Sequence, residues 1–331
     1  MKKNSAVLYA VLLAGLAGAF LFSLGIGEMK FSLAGALADW LSGRMSEAAV
    51  VFSEIRLPRA ILAVLVGASL GLSGAAMQGL LRNPLAEPGV LGVTGGAALG
   101  AVLVFYAGGA SVFGMALPLG GMAGAFVSVW ALYFFAGLTA GVQTLILAGI
   151  ALNTLAFAGT SLALNLSSNP YAALEIVFWQ MGSLSDRSFE HVWLALPFVL
   201  AGWGLLLWNG RALDALTLGE ETAASLGISL KALRRRLVWG TALAVGASVS
   251  VCGSIGFVGL VVPHLLRPWV GQEPGKLLKA SALGGAILLL VADSAVRLIP
   301  SLNELKLGVV TSLVGAPFFI YLIMKMRRSL L

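Results

Sequence analysis

The side chains that could carry chemistry are few in this 331-residue chain, in which 11% of residues are charged and which holds two histidines and one cysteine. Cys252 has no second cysteine with which to form a disulfide or a metal site. The apolar segments hold no paired carboxylates, histidine cluster or Ser/His arrangement of the kind that enzymes use for proton transfer or nucleophilic attack. The sequence therefore predicts no catalytic residue and no metal site.

A nucleotide-binding loop is missing as well. The nearest match to the phosphate-binding pattern G-x-x-x-x-G-K-S/T is GQEPGK at 271–276, which is one residue short and is followed by Leu277. Because the chain lacks such a loop, any ATP that drives this protein must be hydrolysed on a partner.

One polar segment, GRALDALTLGEETAASLGISLKALRRR at 210–236, separates two apolar stretches. Its apolar residues recur at roughly helical intervals, Thr217 and Glu220 have the spacing of a capping box, and Gly227 is expected to end the helix. We predict a short amphipathic cytoplasmic helix within about 212–230. Its polar face begins with acidic residues, which favours a protein partner over the lipid surface, where basic residues would crowd that face.

A second break, RNPLAEPG at 82–89, carries two prolines four residues apart. Prolines break helices and fix turns, so this segment is predicted to lie at the inner end of a membrane span.

These segments must be positioned by a membrane scaffold, because the chain is 59% hydrophobic with a mean hydropathy of +0.96. Such a composition excludes a water-soluble enzyme, since soluble domains are about 45–50% apolar. A spanning helix takes about 20 residues, and the fold class predicted is an all-α polytopic membrane protein with about ten transmembrane helices in a single domain over 1–331. The apolar segments fall near 6–26, 59–81, 90–107, 115–136, 143–166, 191–208, 237–252, 254–270, 278–298 and 307–324.

The basic residues predict the orientation of this bundle. With the N-terminus inside, most of the 21 Lys and Arg lie in cytoplasmic segments, as the positive-inside rule requires. Both termini are therefore predicted to be cytoplasmic. The net charge of +7 is explained by membrane insertion and needs no nucleic-acid partner.

The run RLPRAILAVLVGASLGLSGAAMQGLLRNPLAEPGVLGVTGGAALGA, from Arg56, resembles the signature of the permease family of type II ABC importers, which carry iron-siderophore, haem and cobalamin. The resemblance covers nearly the whole chain in the family's order. Its further blocks are LILAGIALN (145–153), FWQMGSL (178–184), LGEETAASLGI (218–228), GSIGFVGLVVPHLLR (253–267) and ELKLGVVTSLVGAPFFIYL (304–322).

The resemblance implies a ten-helix permease that is not itself an enzyme and that forms a homodimer or a heterodimer, the homodimer being our expectation. Two cytoplasmic ATPase subunits would bind ATP and Mg below it, and a periplasmic binding protein would dock above it, at the bacterial inner membrane. Iron-siderophore or haem is the expected cargo, with cobalamin as the alternative.

The resemblance also implies roles for individual residues. ATPase coupling is expected at Leu218, Gly219, Glu220, Glu221, Ala223, Ala224, Leu226 and Gly227. Docking of the binding protein is expected at Arg56 and Arg297, and is considered for Arg59. A cytoplasmic gate is expected at Asn83, Leu85, Gly141, Val142 and Gln143, and the lining of the translocation path at Asn153, Thr154, Thr160 and Ser161.

Several of these assignments have alternatives. Arg56 and Arg59 could be interfacial anchors that snorkel, Lys231 and 234–236 are expected to be inner-leaflet anchors, and the path residues could serve helix packing. Asp293, four residues before Arg297, is expected to orient that arginine.

An ion-coupled secondary transporter is the rival function. It would need buried ionisable residues at a midplane site, and among the spans only Asp293 is a candidate. His264, which follows Pro263, is expected to start a helix; the alternative is an axial ligand to transported haem.

Overall fold

The computed structural model describes residues 5–108, 115–137, 140–167, 170–299 and 304–328, and this part of the chain is helical without a strand. A π-helical segment, Val51–Arg56, leads into α4, and single 3₁₀ turns occupy Pro88–Leu91 and Arg267–Trp269. The helices are α1 (Ser5–Gly25), α2 (Leu33–Leu41), α3 (Glu47–Val50), α4 (Leu57–Leu81), α5 (Val93–Tyr106), α6 (Ala116–Ala136), α7 (Val142–Leu166), α8 (Pro170–Gln180), α9 (Phe189–Leu207), α10 (Gly210–Leu216), α11 (Glu220–Ser225), α12 (Leu230–Cys252), α13 (Val258–Leu266), α14 (Pro274–Leu298) and α15 (Leu307–Arg328).

Ten of these helices occupy the ten predicted spans, which confirms the all-α polytopic fold class: α1, α4, α5, α6, α7, α9, α12, α13, α14 and α15. Within the described residues, six stretches are long and apolar enough to cross a membrane, namely 6–25, 47–81, 116–136, 142–166, 189–207 and 274–298. The apolar helices at 93–106 and 307–322 are shorter.

The eighth predicted span, 254–270, is only partly helical. Its helix α13 has nine residues, about 14 Å at 1.5 Å per residue, which is less than half of a bilayer core of about 30 Å. Ahead of it the backbone is irregular, and Phe257 has a φ of 66° and lies against Gly315 of α15. Irregular backbone at membrane depth is tolerated where protein surrounds it, and the prediction of a full span here was wrong.

Helix α4 lies at the centre of the bundle, and 89% of the most apolar stretch within 47–81 is buried. Its glycines make the close contacts of this centre. A Cβ at Gly71 would overlap the carbonyl oxygen of Ser281 in α14, and one at Gly74 would overlap the carbonyl oxygen of Gly259 in α13. Small residues let helix backbones approach closely in a membrane. The close contacts therefore hold α4, α13 and α14 together as one packed core. Helix α7 lies at the edge of this core, since only 22% of its most apolar stretch is buried.

Candidate functional site

The outer ends of α4 and α14 enclose a cavity of about 920 Å³ that is rich in arginine. Arg56, Arg59 and Arg297 all line it, together with Glu304 from the segment before α15. The structure thus brings together both arginines predicted for docking and the third that was considered. Glu304 was not predicted; its place inside the ELKLG block was the only signal that pointed to it.

A buried ion cluster supports one side of this cavity. Asp293, 1% exposed, accepts hydrogen bonds from Arg59, with Nη2 2.8 Å from Oδ1, and pairs with Arg297, with Nη2 3.1 Å from Oδ2. Glu304 pairs with Arg59 and accepts a hydrogen bond from Ser185. The expected pairing of Asp293 with Arg297 one helical turn away is confirmed.

Two of the arginines also hold the outer end of α1. Arg56 donates to the carbonyl oxygens of Leu24, at 2.8 Å, and Met29, and its guanidinium stacks 4.2 Å from the ring centre of Phe31. Arg56 is 4% exposed and Arg59 9%, so the alternative of a snorkelling anchor was wrong for both. Docking by Arg56 stays a prediction, and in this conformation its guanidinium is occupied by its own chain.

Arg297 makes similar contacts, donating to the carbonyl oxygens of Ser23 and Ile26, both at 2.9 Å.

The ion cluster also shifts the pKa of Glu304. Burial opposes its ionisation, but hydrogen bonds from Arg59 and Ser185 and the charges of Arg59 and Arg297 lower the pKa of Glu304 below its ordinary value.

The inner segment at 210–236 forms two short helices rather than one. α10 ends at Leu216, and α11 begins at Glu220 after Gly219, whose φ is +106°. Thr217 donates to the carbonyl oxygen of Asp214 at 2.6 Å and does not cap α11, so the predicted capping box was wrong. Gly227, with a φ of +84°, follows the end of α11, which confirms the predicted stop.

The helix pair presents apolar side chains outward. Leu218 and Leu226 are 65% and 62% exposed, and Glu221, Ala224 and Gly227 are exposed as well. Ala223 is fully buried against its own chain, because it lies on the side of α11 that faces the bundle. Its assignment as an ATPase contact is therefore corrected.

Arg234 connects this helix pair to another predicted site. Its Nη2 lies 2.8 Å from both carboxylate oxygens of Glu220, and its Nη1 donates to the carbonyl oxygen of Ala140 at 3.3 Å. Ala140 directly precedes Gly141, the first residue of the second predicted gate segment. The expectation that Arg234 is a lipid anchor was therefore wrong, whereas Lys231 and 235–236 are exposed.

The two predicted gate segments lie at the inner ends of neighbouring helices. Asn83 and Leu85 form a turn in which the Asn83 Oδ1 accepts from the Leu85 amide at 2.9 Å. Gly141 precedes α7, and Val142 and Gln143 form its first turn. The helix that the second segment begins packs on the turn at 88–91 that follows the first, with Gly149 against the carbonyl of Val90.

The predicted path residues divide between the two faces of α7. Thr154 and Ser161 are exposed on one face, and the Thr154 hydroxyl donates to the carbonyl oxygen of Ile150 at 2.9 Å. Asn153 is half-buried and accepts from the Gly95 amide at 3.1 Å. Thr160 is buried in the subunit, because it lies on the side of α7 that faces the bundle. Its prediction as a residue that lines the translocation path is therefore corrected.

His264 also differs from expectation, because it lies in the last turn of α13 and not at a helix start. Its ring packs edge-on against Phe318, with 6.0 Å between ring centres. Among the described residues, no three His, Cys, Asp or Glu side chains come together as a metal site.

A helical membrane bundle with an arginine-lined outer cavity, an uncharged helix face and an exposed inner helix pair defines the class of the protein as a transport permease. The model of the FecCD transport family matches residues 14–325. The chain belongs to this family, and it is a multi-pass permease of the ABC importer type.

Individual relatives agree with this class. The chain is 42% identical over 284 residues to an uncharacterized ABC transporter permease protein, YvrB, of Bacillus subtilis (strain 168), covering 84% of this chain and 80% of the relative. It is 40% identical over 313 residues to the vitamin B12 import system permease protein BtuC of Salmonella paratyphi A, covering 94% and 92%.

Two solved structures share the fold. A transporter assigned to the metal-chelate type of ABC transporters, in an inward-facing conformation, is similar with a TM-score of 0.85 and 32% identity, covering 97% of this chain and 100% of that chain. PsaBC from Streptococcus pneumoniae in complex with Fab has a TM-score of 0.56 and 14% identity, covering 86% and 94%.

Proposed function

We propose that this chain is the permease subunit of an importer that carries a metal chelate across the bacterial inner membrane while ATP is hydrolysed with Mg on two separate cytoplasmic subunits. The observation that carries the proposal is the connection from the exposed α10–α11 pair, through Glu220 and Arg234, to Ala140 at the gate segment. A movement imposed on the helix pair from outside has a direct route to the inner end of α7.

The inner mechanism follows from these contacts. Leu218 and Leu226 offer exposed apolar surface to an ATPase groove, and burial of apolar surface is the main favourable contribution to most protein–protein contacts. Packed helices shift as units between discrete arrangements. When the ATPase displaces α11, the Arg234 guanidinium transmits the displacement to Ala140 and so to Gly141, Val142 and Gln143.

The outer cavity supports the proposed docking of a periplasmic binding protein. Its three arginines are balanced in formal charge by Glu28 and Glu304 in the lining and by Asp293 behind it, but guanidinium groups pair bidentately with carboxylates and so suit an incoming acid. An acidic side chain of the binding protein would find Arg297 oriented by the buried cluster, and at Arg56 it would compete with the carbonyl oxygens of Leu24 and Met29.

A homodimer places α7 on the central path. Its exposed face carries Thr154 and Ser161 without a charged residue, and a wall of this kind lets a bulky chelate pass without tight binding. The exposed apolar residues Leu147 and Leu155 of α7 would be covered in part by the second permease subunit.

The cargo is proposed as a metal chelate, with iron-siderophore or haem and cobalamin as the candidates. The similarity to a vitamin B12 import permease over nearly the full chain favours cobalamin. An ion-coupled transporter is disfavoured, because Asp293 is held by Arg59 and Arg297 and is not a free proton relay.

Reconstituted vesicles test the proposal. The chain, its ATPase and a candidate binding protein are assembled, and uptake of cobalamin, haem and a ferric siderophore is measured with ATP and without it. We expect ATP-dependent uptake of one chelate class only. Uptake that persists without ATP, or that occurs with the permease alone, would refute the importer function.

A further inference from the structure

A cavity of about 1070 Å³ opens on the inner side of the bundle, beside the α10–α11 pair. Gly227 lines it, but neither Leu218, Leu226 nor any predicted gate residue does. It lies where α1, α10, α12 and the start of α14 meet. Its lining combines aromatic, apolar and charged residues, and the charged ones are Arg211, Asp214, Arg236, Glu273, Lys276 and Lys279.

The positive charge of this cavity is only partly compensated by its lining acids. Lys276 pairs with Glu273 at 2.9 Å, and these two side chains neutralise each other. By contrast, the side chains of Arg211, Arg236 and Lys279 are exposed and make no ion pair or hydrogen bond with any other residue that the structure describes. Three cations from three different helices therefore converge on one space in which Asp214 is the one further lining acid, and the cavity keeps a formal net charge of +2, from four cations and two acids.

The walls of the cavity are fixed in place by hydrogen bonds that do not involve these cations. The Tyr9 hydroxyl of α1 donates to the carbonyl oxygen of Lys276 at 3.0 Å. The remaining acid, Asp214 of α10, accepts from the amide of Gly275 at 2.7 Å, and Gly210 packs closely against Gly275. The cavity is therefore formed before any ligand enters it.

The cavity continues into a surface suited to acyl chains. Leu207 and Trp208, at the inner end of α9, line it and are exposed, and Trp208 is 81% exposed. Val11 of α1, two residues after Tyr9, is also exposed. Tryptophan at such a level is typical of the membrane–water boundary, so the basic cavity lies at the depth of inner-leaflet headgroups.

We propose that this cavity binds the phosphate headgroup of an anionic phospholipid of the inner leaflet. Arginine forks and a lysine ammonium are the groups that proteins use for phosphate, and basic pockets between membrane helices on the cytoplasmic side bind anionic headgroups. Because 227–229 also line the cavity, the lipid would touch the chain between α11 and α12, next to the helix pair that contacts the ATPase.

The test uses the purified full chain in detergent micelles, with phosphatidylglycerol or phosphatidylcholine added and thermal unfolding measured. The cavity variant combines Arg211→Gln, Arg236→Gln and Lys279→Gln. A matched variant removes three exposed cations that lie outside the cavity and outside the expected anchor segment, by Lys30→Gln, Arg44→Gln and Arg82→Gln. Glycerol phosphate and inorganic phosphate are added separately.

We expect phosphatidylglycerol to raise the unfolding temperature of the wild type and of the matched variant, and the cavity variant to require on the order of 100-fold more lipid for the same rise. An equal loss in both variants would overturn the proposal, because it would indicate non-specific charge attraction. An equal response to glycerol phosphate or inorganic phosphate would also overturn it, since the ligand would then be soluble.

A second measurement does not depend on the variants folding. Photoactivatable phosphatidylglycerol is cross-linked to the wild-type chain, and the labelled peptides are mapped by mass spectrometry. Cross-links to 207–214 and to the first turn of α14 support the site, whereas labelling found only elsewhere overturns it. A cavity variant that keeps its lipid response but no longer binds the ATPase would show that the cavity is a protein contact, and the lipid proposal would fail.

Discussion

Asp293→Asn tests the buried cluster at the outer end most directly. The substitution preserves the shape of the side chain but removes its charge from between Arg59 and Arg297, at a position that is 1% exposed. Removing one partner of a buried ion pair costs about 3–5 kcal/mol. Since Glu304 still pairs with Arg59, we expect the lower end, about 3 kcal/mol.

The assay is thermal or denaturant unfolding of the purified chain in detergent, followed by tryptophan fluorescence. Asp39→Asn is the matched control, because Asp39 lies on the outer side and its ion pair to Arg44 is 4.0 Å long with the arginine 79% exposed. Exposed pairs of this kind contribute about 1 kcal/mol or less. Adding Arg59→Gln to each variant completes a double-mutant cycle.

The cycle should show a coupling between Arg59 and Asp293 of about 1–3 kcal/mol and none between Arg59 and Asp39. If Asp293→Asn were no more destabilising than Asp39→Asn, the reasoning that this cluster is buried and mutually dependent would be refuted.

Three further predictions concern acidity, packing and coupling. The pKa of Glu304 lies below its ordinary value of 4.5, so its stabilising contribution is present above pH 4.5 and is lost as the pH falls further. The unfolding temperature of the wild type should therefore drop more steeply below pH 4.5 than that of Glu304→Gln. Parallel curves for the two proteins would contradict this. Gly74→Ala should cost about 3 kcal/mol or more by overpacking against α13, as measured by unfolding, whereas Gly18→Ala, with open space around its Cβ position, should be neutral or slightly stabilising. Glu220→Gln and Arg234→Gln should each reduce transport per ATP about fivefold in vesicles, equivalent to about 1 kcal/mol for a partly exposed pair. The double variant should transport no less than either single variant. Additive losses would show that the two side chains act independently.

The sequence predicted the spans because membrane helices are defined by length and apolarity. The eighth span failed on this same criterion. The stretch 254–270 is apolar enough, but hydropathy does not register that Gly253 ends a helix and that Phe257 lies in the left-handed region. The outer helices α2 and α3 were not predicted, although Ser32 and Ser46 cap them in the manner that short polar residues before apolar runs indicate.

The site was predictable where it depends on neighbours in sequence. Asp293 and Arg297 are four residues apart on one helix, so their pairing followed from helical geometry. Arg59 and Glu304 are 245 residues apart, and the spacing of residues in the sequence cannot predict a contact between positions so distant. Arg234 was misassigned for a related reason: three consecutive arginines are typical of a lipid-facing anchor, and only the fold shows that one of them reaches Ala140.

The glycine contacts in the middle of the bundle limit how the transporter can change shape. Where the backbones of α4 and α14 touch at Gly71 and Ser281, no side chain lies between them that could change rotamer to absorb sliding, and a shift by one turn would bring larger residues into the same narrow space. We therefore expect these two helices to travel as a single piece through the import cycle. The opening and closing of the route must then come from rearrangement around α7, at the edge of that piece.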